Sequence, residues 1–145
     1  MKATEEPERS KTIKVLHVDD DPYLLEVTQL ILESTGEFTI QTETSAEKGL
    51  SYLSRTGFDA IISDYQMPGM DGLAFHKKVR SVSVQIPFIL FTGKTPDEIV
   101  PGSWGTCPDF YLCKGEIDPT FEQLASTLRS AVRRRPIVPD REKTE

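Results

Sequence analysis

The residues with the most chemical capacity fall in four places along the chain: the acidic run Asp19-Asp20-Asp21, Asp64 with Gln66 two positions on, the pair Thr92-Gly93, and Lys114. Carboxylates gathered without cationic neighbours repel one another and resist ionisation unless a cation sits among them. Mg2+, or the similar Mn2+, prefers hard oxygen donors and typically takes one or two carboxylates together with water and a phosphate oxygen. Asp19, Asp20 and Asp64 suit that role, and the backbone carbonyl of Gln66 is a candidate further ligand. A carboxylate is also a competent covalent acceptor of phosphoryl groups, which makes Asp64 the candidate nucleophile. Lys114 would supply a compact positive charge to the carboxylate or the transferred group, Thr92 a hydroxyl hydrogen bond, and Gly93 room for a close backbone N–H. Phosphoryl transfer depends chiefly on positioning and electrostatics, so this set is sufficient without a separate base.

Taken singly, each piece has a plain structural reading. Asp19–Asp21 can be a helix cap with acidic neighbours, and Asp64 can open the turn that Met67-Pro68-Gly69 would form. Thr92 can be a structural strand end, and Lys114 a solvated lysine. What points to chemistry is that all four places directly follow short apolar runs.

Those runs are Ile13–Val18, Phe38–Ile40, Phe58–Ser63, Pro87–Phe91 and Asp109–Cys113, which predict five strands. The first, third and fourth are nearly continuous in apolar residues, as strands covered on both faces of a parallel sheet are. Helical patterns alternate with them. Asp21-Pro22 opens the first, whose predicted inner face is Leu24, Val27, Thr28, Ile31 and Thr35, with Gly36 as its stop. Thr44 and Glu47 have capping-box spacing ahead of a shorter second helix ending near Gly57. Asp71 caps a third through Arg80, and Asp118-Pro119 starts the last, with Phe121, Leu124, Ala125, Leu128, Ala131 and Val132 as its stripe. Right-handed crossovers then give an α/β, doubly wound, five-stranded parallel sheet in the order 2-1-3-4-5. In such a sheet functional groups collect beyond the carboxyl ends of the strands, where Asp19, Asp64, Thr92 and Lys114 all fall.

A chain of 145 residues, 37% hydrophobic and 28% charged, fits one globular domain. The expected division is a domain over residues 12–135 between tails or linkers at 1–11 and 136–145. The net charge of −6 argues against nucleic acid as a partner, and Arg133-Arg134-Arg135 suits the negative end of a helix. No apolar run approaches the ~20 residues of a membrane span, and the charged N-terminus has no secretory pattern, so a cytoplasmic location is expected. Cys107 and Cys113 read as free thiols, and His17, inside a strand, as a packed residue rather than a ligand.

From about Thr12 to Arg134 the sequence resembles the receiver domains of two-component signalling, which have a flavodoxin-like fold. The resemblance rests on Val15-Leu16-His17-Val18-Asp19-Asp20-Asp21-Pro22, Ser63-Asp64-Tyr65-Gln66-Met67-Pro68-Gly69-Met70-Asp71-Gly72, Phe91-Thr92-Gly93 and Asp109-Phe110-Tyr111-Leu112-Cys113-Lys114. Some of the phrasing is similar to receivers of methanogenic archaea. The resemblance implies that Asp19 and Asp20 are the acidic metal pair, Asp64 the phosphorylation site, Lys114 the family's lysine, and Thr92 and Tyr111 the hydroxyl and aromatic switch residues. The implied partners are a sensor histidine kinase, a downstream effector protein or fused output domain, and a phosphorylation-dependent second copy. The implied activity is that of a phosphoacceptor rather than an enzyme, with self-phosphorylation from small donors and self-dephosphorylation.

Two departures from the family pattern stand out. Gly115 follows Lys114 where the family has a proline, so the usual cis-proline turn cannot form there. The segment from Pro96 to Pro108 carries prolines and glycines that predict a short or irregular fourth helix, with Trp104 either an exposed partner anchor or, the favoured reading, packed over the missing turn. Two rival readings follow: a receiver-like module that binds partners without phosphorylation, and an aspartyl-phosphate phosphatase. The second is disfavoured because Gln66 cannot serve as the general acid expected two residues after the nucleophile.

Overall fold

In the computed structural model, the described residues are 11–83, 85–99, 108–114 and 121–133. Five strands, β1 (Ile13–Val18), β2 (Phe38–Glu43), β3 (Ala60–Ser63), β4 (Phe88–Thr92) and β5 (Phe110–Cys113), pair in parallel in the order β2-β1-β3-β4-β5. Four helices connect or follow them: α1 (Pro22–Glu33), α2 (Ala46–Leu53), α3 (Gly72–Val82) and α4 (Glu122–Arg133). This is the expected doubly wound sandwich and strand order. Among the described residues after β4 there is one 3-10 turn, Pro96–Glu98, in keeping with a shortened helix. Trp104, Cys107, Gly115 and the Asp118-Pro119 start lie outside the described residues.

Alternating strand residues feed two cores. Leu16, Val18, Ile61, Phe88 and Leu90 pack with Leu73, Phe75 and Val79 of α3 on one face. Val15, Ile40, Ile62, Ile89 and Phe91 pack with Leu32 of α1 and Leu124 and Leu128 of α4 on the other. β1, β3 and β4 are therefore buried on both sides, which is why their sequences read as near-continuous apolar runs. Gly49 lets α2 lie close to the sheet: a Cβ there would stand 3.0 Å from Val18 Cγ2.

Several local expectations shift. The inner face of α1 centres on Leu25, Thr28 and Leu32, while Thr35 is exposed beyond the helix. Leu24 is only partly buried but still packs against the same core. The second helix is capped by Ser45, whose hydroxyl accepts the Lys48 N–H at 3.2 Å, rather than by Thr44. α3 continues past Arg80 to Val82, and the Arg80 guanidinium turns back to donate to the carbonyls of Ser83 and Ile86. Phe121 precedes α4 at φ 60 rather than lying within it, yet still packs on the same core and meets Phe91 edge-on. β2 extends to Glu43 because Gln41–Glu43 pair with Leu16–Val18.

The open edge at β2 is covered by α1. The Ile40 N–H donates to Glu33 Oε2 at 2.8 Å, and Gln29 Nε2 donates to the Ile40 carbonyl at 3.2 Å. A strand edge left bare is a template for pairing with another chain, and these two side chains occupy part of it.

Candidate functional site

The strand order brings the chemistry together. β1 lies between β2 and β3, so the chain turns in opposite directions after β1 and β3, opening a crevice at their carboxyl ends. Val18 and Ser63 are register partners, and the Asp64 N–H donates to the Val18 carbonyl at 3.0 Å. Asp19 and Asp64 therefore leave adjacent strands side by side. On the other flank Thr92 is in register with Cys113, which places Lys114 one residue beyond it on the same rim.

The side chains converge as that register implies. One carboxylate oxygen each from Asp19, Asp20 and Asp64 lie within 4.8 Å of one another. The Lys114 ammonium stands 2.8 Å from Asp19 Oδ2 and 3.4 Å from Asp64 Oδ2. Asp19 is fully buried and Asp64 nearly so, whereas Asp20 is exposed at the mouth. The other oxygens are held by backbone: Asp21 N–H donates to Asp19 Oδ1 at 3.0 Å, and Tyr65 N–H to Asp64 Oδ1 at 2.7 Å. Asp21 itself is the cap of α1, accepting from Tyr23 and Leu24, so its place in the acidic run is structural.

Burial holds the Asp19 carboxyl above the usual carboxylate range; Lys114 offsets this, and the Asp64 charge adds to it. Three carboxylates against a single ammonium leave the cluster net negative in a confined place. The donors are all hard oxygens, with no thiol or imidazole among them, so the set fits a hard divalent cation such as Mg2+. The crevice around them is an open cavity of about 610 Å3, which Gln66, Thr92 and Gly93 also line.

α3 is anchored at this place. Gly72 N–H donates to the Tyr65 carbonyl at 2.7 Å, and a Cβ on Gly72 would fall 2.1 Å from the Asp64 carbonyl oxygen. Only a glycine permits that approach. Gly69, at φ 81, supplies the left-handed residue of the intervening turn.

Thr92 is buried at the end of β4, and its hydroxyl oxygen accepts the Lys94 N–H at 3.3 Å. The half-buried Tyr111 donates its hydroxyl to the Lys94 carbonyl. A single peptide-bearing residue, Lys94, thus touches both Thr92 and Tyr111. The sequence reading passed over it because its contribution is made by backbone atoms, for which no residue type is a signal. Phe91 is a second such residue for a different reason, since its ring, 5.9 Å from the Lys114 ammonium and 6.3 Å from the His17 ring, gains its role only through packing. His17 is fully buried beneath the site and serves as packing. Burial, followed by the charge of Lys114, lowers its pKa to about 3, so it is neutral. Cys113 is a free thiol.

Comparison with known proteins agrees with this geometry. Residues 15–103 match the family model of the response regulator receiver domain. The transcriptional regulator DctD of Rhizobium meliloti is 42% identical over 79 residues, covering 54% of this chain but only 17% of its own length. Among solved structures, the chemotaxis protein CheY4 of Vibrio cholerae superposes with a TM-score of 0.74 at 29% identity, covering 83% of this chain and 99% of that one. The response regulator TrrA of Thermotoga maritima, crystallised with Mg2+ and BeF, gives 0.70 at 26% identity over 81% of this chain and 97% of its own. The match spans more than half of this chain, and the fold, strand order and rim of acidic residues agree with it: the chain belongs to the receiver domains of two-component response regulators.

Proposed function

We propose that Asp64 is the phosphoacceptor of this receiver and that Asp19, Asp20, Asp64 and the backbone carbonyl of Gln66 hold its divalent cation, Mg2+ or Mn2+. The observation that carries this reading is the meeting of three carboxylates within 4.8 Å with the Lys114 ammonium 2.8 and 3.4 Å from two of them. When bound, the cation supplies neutralisation of the charge that accumulates on the transferred group.

The donor is the phosphohistidine of a sensor kinase. Its P–N bond breaks as a P–O bond forms to an Asp64 carboxylate oxygen, and the imidazole leaves with the electron pair and takes a proton from solvent. The chain's own part is positional and electrostatic. Tyr65 N–H orients the Asp64 carboxylate, and Lys114 balances its charge. Thr92 and Tyr111 form the switch. A phosphoryl group that draws the Thr92 hydroxyl toward itself takes it from the Lys94 N–H, and Lys94 is the acceptor of the Tyr111 hydroxyl. The phosphoryl group thereby favours one of two arrangements of that loop and ring.

The domain spans residues 12–135, with 1–11 and 136–145 as tails or linkers, and works in the cytoplasm; no helix among the described residues is long and apolar enough to cross a membrane. Its output passes to an effector protein or fused domain, or to a second copy of itself, without contact to nucleic acid. Small phosphodonors also serve it, and it hydrolyses its own acyl phosphate.

The test is acetyl phosphate labelling followed by mass spectrometry. Wild type should gain a single acid-stable, base-labile phosphate that needs Mg2+ and is absent from Asp64→Asn. Label persisting in that variant, or none in wild type, would refute the assignment.

A further inference from the structure

Toward the amino ends of β3 and β4, at the opposite end of the strands from the carboxylates, the ends of α2 and α3 part to leave a second cavity of about 660 Å3. Its floor is apolar: Phe58 and Ile86 are buried there, and Leu50 and Leu53 flank them. Val82, on the α3 side, is 68% exposed, far more than an apolar side chain next to a cavity needs to be. The volume lies inside the ~300–1,000 Å3 range of small-molecule sites.

Two helix ends meeting at one place would ordinarily present bare carbonyls and favour a cation. Here many are already bonded. The Leu50 and Tyr52 carbonyls accept from the backbone of Ser54, Arg55 and Thr56, and the Ser51 carbonyl from the Ser54 hydroxyl. On α3 the Val79 carbonyl accepts Ser83 N–H and the Lys78 carbonyl the Ser81 hydroxyl, while Arg80 covers the carbonyls of Ser83 and Ile86. What remains is Lys78, the single charged residue lining the cavity, whose ammonium has no ion-pair partner among the described residues. Ser54, Thr56, Ser81 and Ser83 add hydroxyls to the wall, and the one charged group lining the cavity is positive.

From this we infer that the cavity between α2 and α3 binds a small amphipathic anion, with an apolar body against Leu50 and Leu53 above the buried Phe58 and Ile86 and a carboxylate or sulfonate head at Lys78. The concave shape and ligand-sized volume favour a small molecule over a flat protein partner. The site is independent of the carboxylate rim and of the function proposed for it.

The experiment is a fluorescence titration of the intact chain with anilinonaphthalene sulfonate and, in parallel, with the uncharged phenylnaphthylamine, accompanied by amide chemical-shift mapping. Both dyes should bind saturably, with shifts centred on Leu50, Leu53, Phe58 and Ile86. Lys78→Glu should weaken the sulfonate roughly three- to tenfold, the scale of an exposed charge contact reversed in sign, and leave the uncharged dye unaffected. Ser81→Trp, which fills the cavity from its exposed side, should weaken both. Each variant is on the surface, and unchanged Mg2+-dependent labelling would verify its fold. Shifts centred elsewhere, no saturable binding, or equal loss of both dyes in Lys78→Glu would overturn the inference.

Discussion

Replacing Gly72 by alanine tests the joint between helix and site most directly. A Cβ at this position would stand 2.1 Å from the Asp64 carbonyl oxygen, 2.9 Å from Tyr65 Cα and 3.0 Å from the Asp64 carbonyl carbon. An ordinary carbon–oxygen contact is about 3.3 Å, so something must move by roughly 1 Å. All three atoms are backbone, and no rotamer change relieves them. The cost should therefore reach the upper end of the overpacking range, about 3 kcal/mol. Alanine recovers about 1 kcal/mol by restricting the unfolded chain. The net loss is about 2 kcal/mol, or roughly 6 °C in melting temperature for a domain of this size. Because the displaced backbone carries Asp64, a shift near 1 Å should also slow acetyl phosphate labelling by about 100-fold. Two other glycines calibrate the result. Gly36 has open space around it but φ 81, so Gly36→Ala should cost about 1 kcal/mol through conformation alone. Gly57 has neither constraint, and its alanine variant should match wild type or exceed it. Urea denaturation and labelling rates measured together decide the matter. If Gly72→Ala is as stable as Gly57→Ala and labels normally, α3 does not press on Asp64 as described.

The buried histidines make stability depend on acid. His17 and His76 have their pKa lowered to about 3 and about 4, chiefly by burial, so the unfolded chain takes up protons first as pH falls below 6.5. Stability should be complete above that value and fall on the order of 2 kcal/mol by pH 5 for fully buried His17, with His76→Phe making the decline shallower in urea melts taken across pH; identical slopes would contradict this. Asp19 has the opposite sign of linkage, since its raised pKa means that ionisation opposes folding as pH rises through the carboxylate range. Thermal melts should show Asp19→Asn more stable than wild type without Mg2+ and less stabilised by it, and an unchanged response to Mg2+ would remove Asp19 from the metal set. Glu33→Ala takes away the acceptor of the Ile40 N–H at the open edge, with a loss of about 1 kcal/mol and faster hydrogen exchange at that amide, read by NMR.

Much of the architecture was legible because it is periodic. The two-sided burial of β1, β3 and β4 writes itself as unbroken apolar runs, and Asp21 and Asp71 mark helix starts by local bonds to Leu24 and Ala74 that any short peptide can make. The same holds for which residues end each strand. Local chemistry could not separate Thr44 from Ser45 as a cap, nor choose which stripe of α1 faces inward, since both depend on how the helix is set down on the sheet. The site divides in the same way. Residue types together with their place after apolar runs named Asp19, Asp20, Asp64 and Lys114, but their meeting depends on β1 and β3 pairing at the switch in strand order, across dozens of residues of chain. Lys94, Phe91 and the clearance at Gly72 were decided only by tertiary structure, because a backbone carbonyl, a ring beneath an ammonium and a missing Cβ acquire meaning only from what is packed against them.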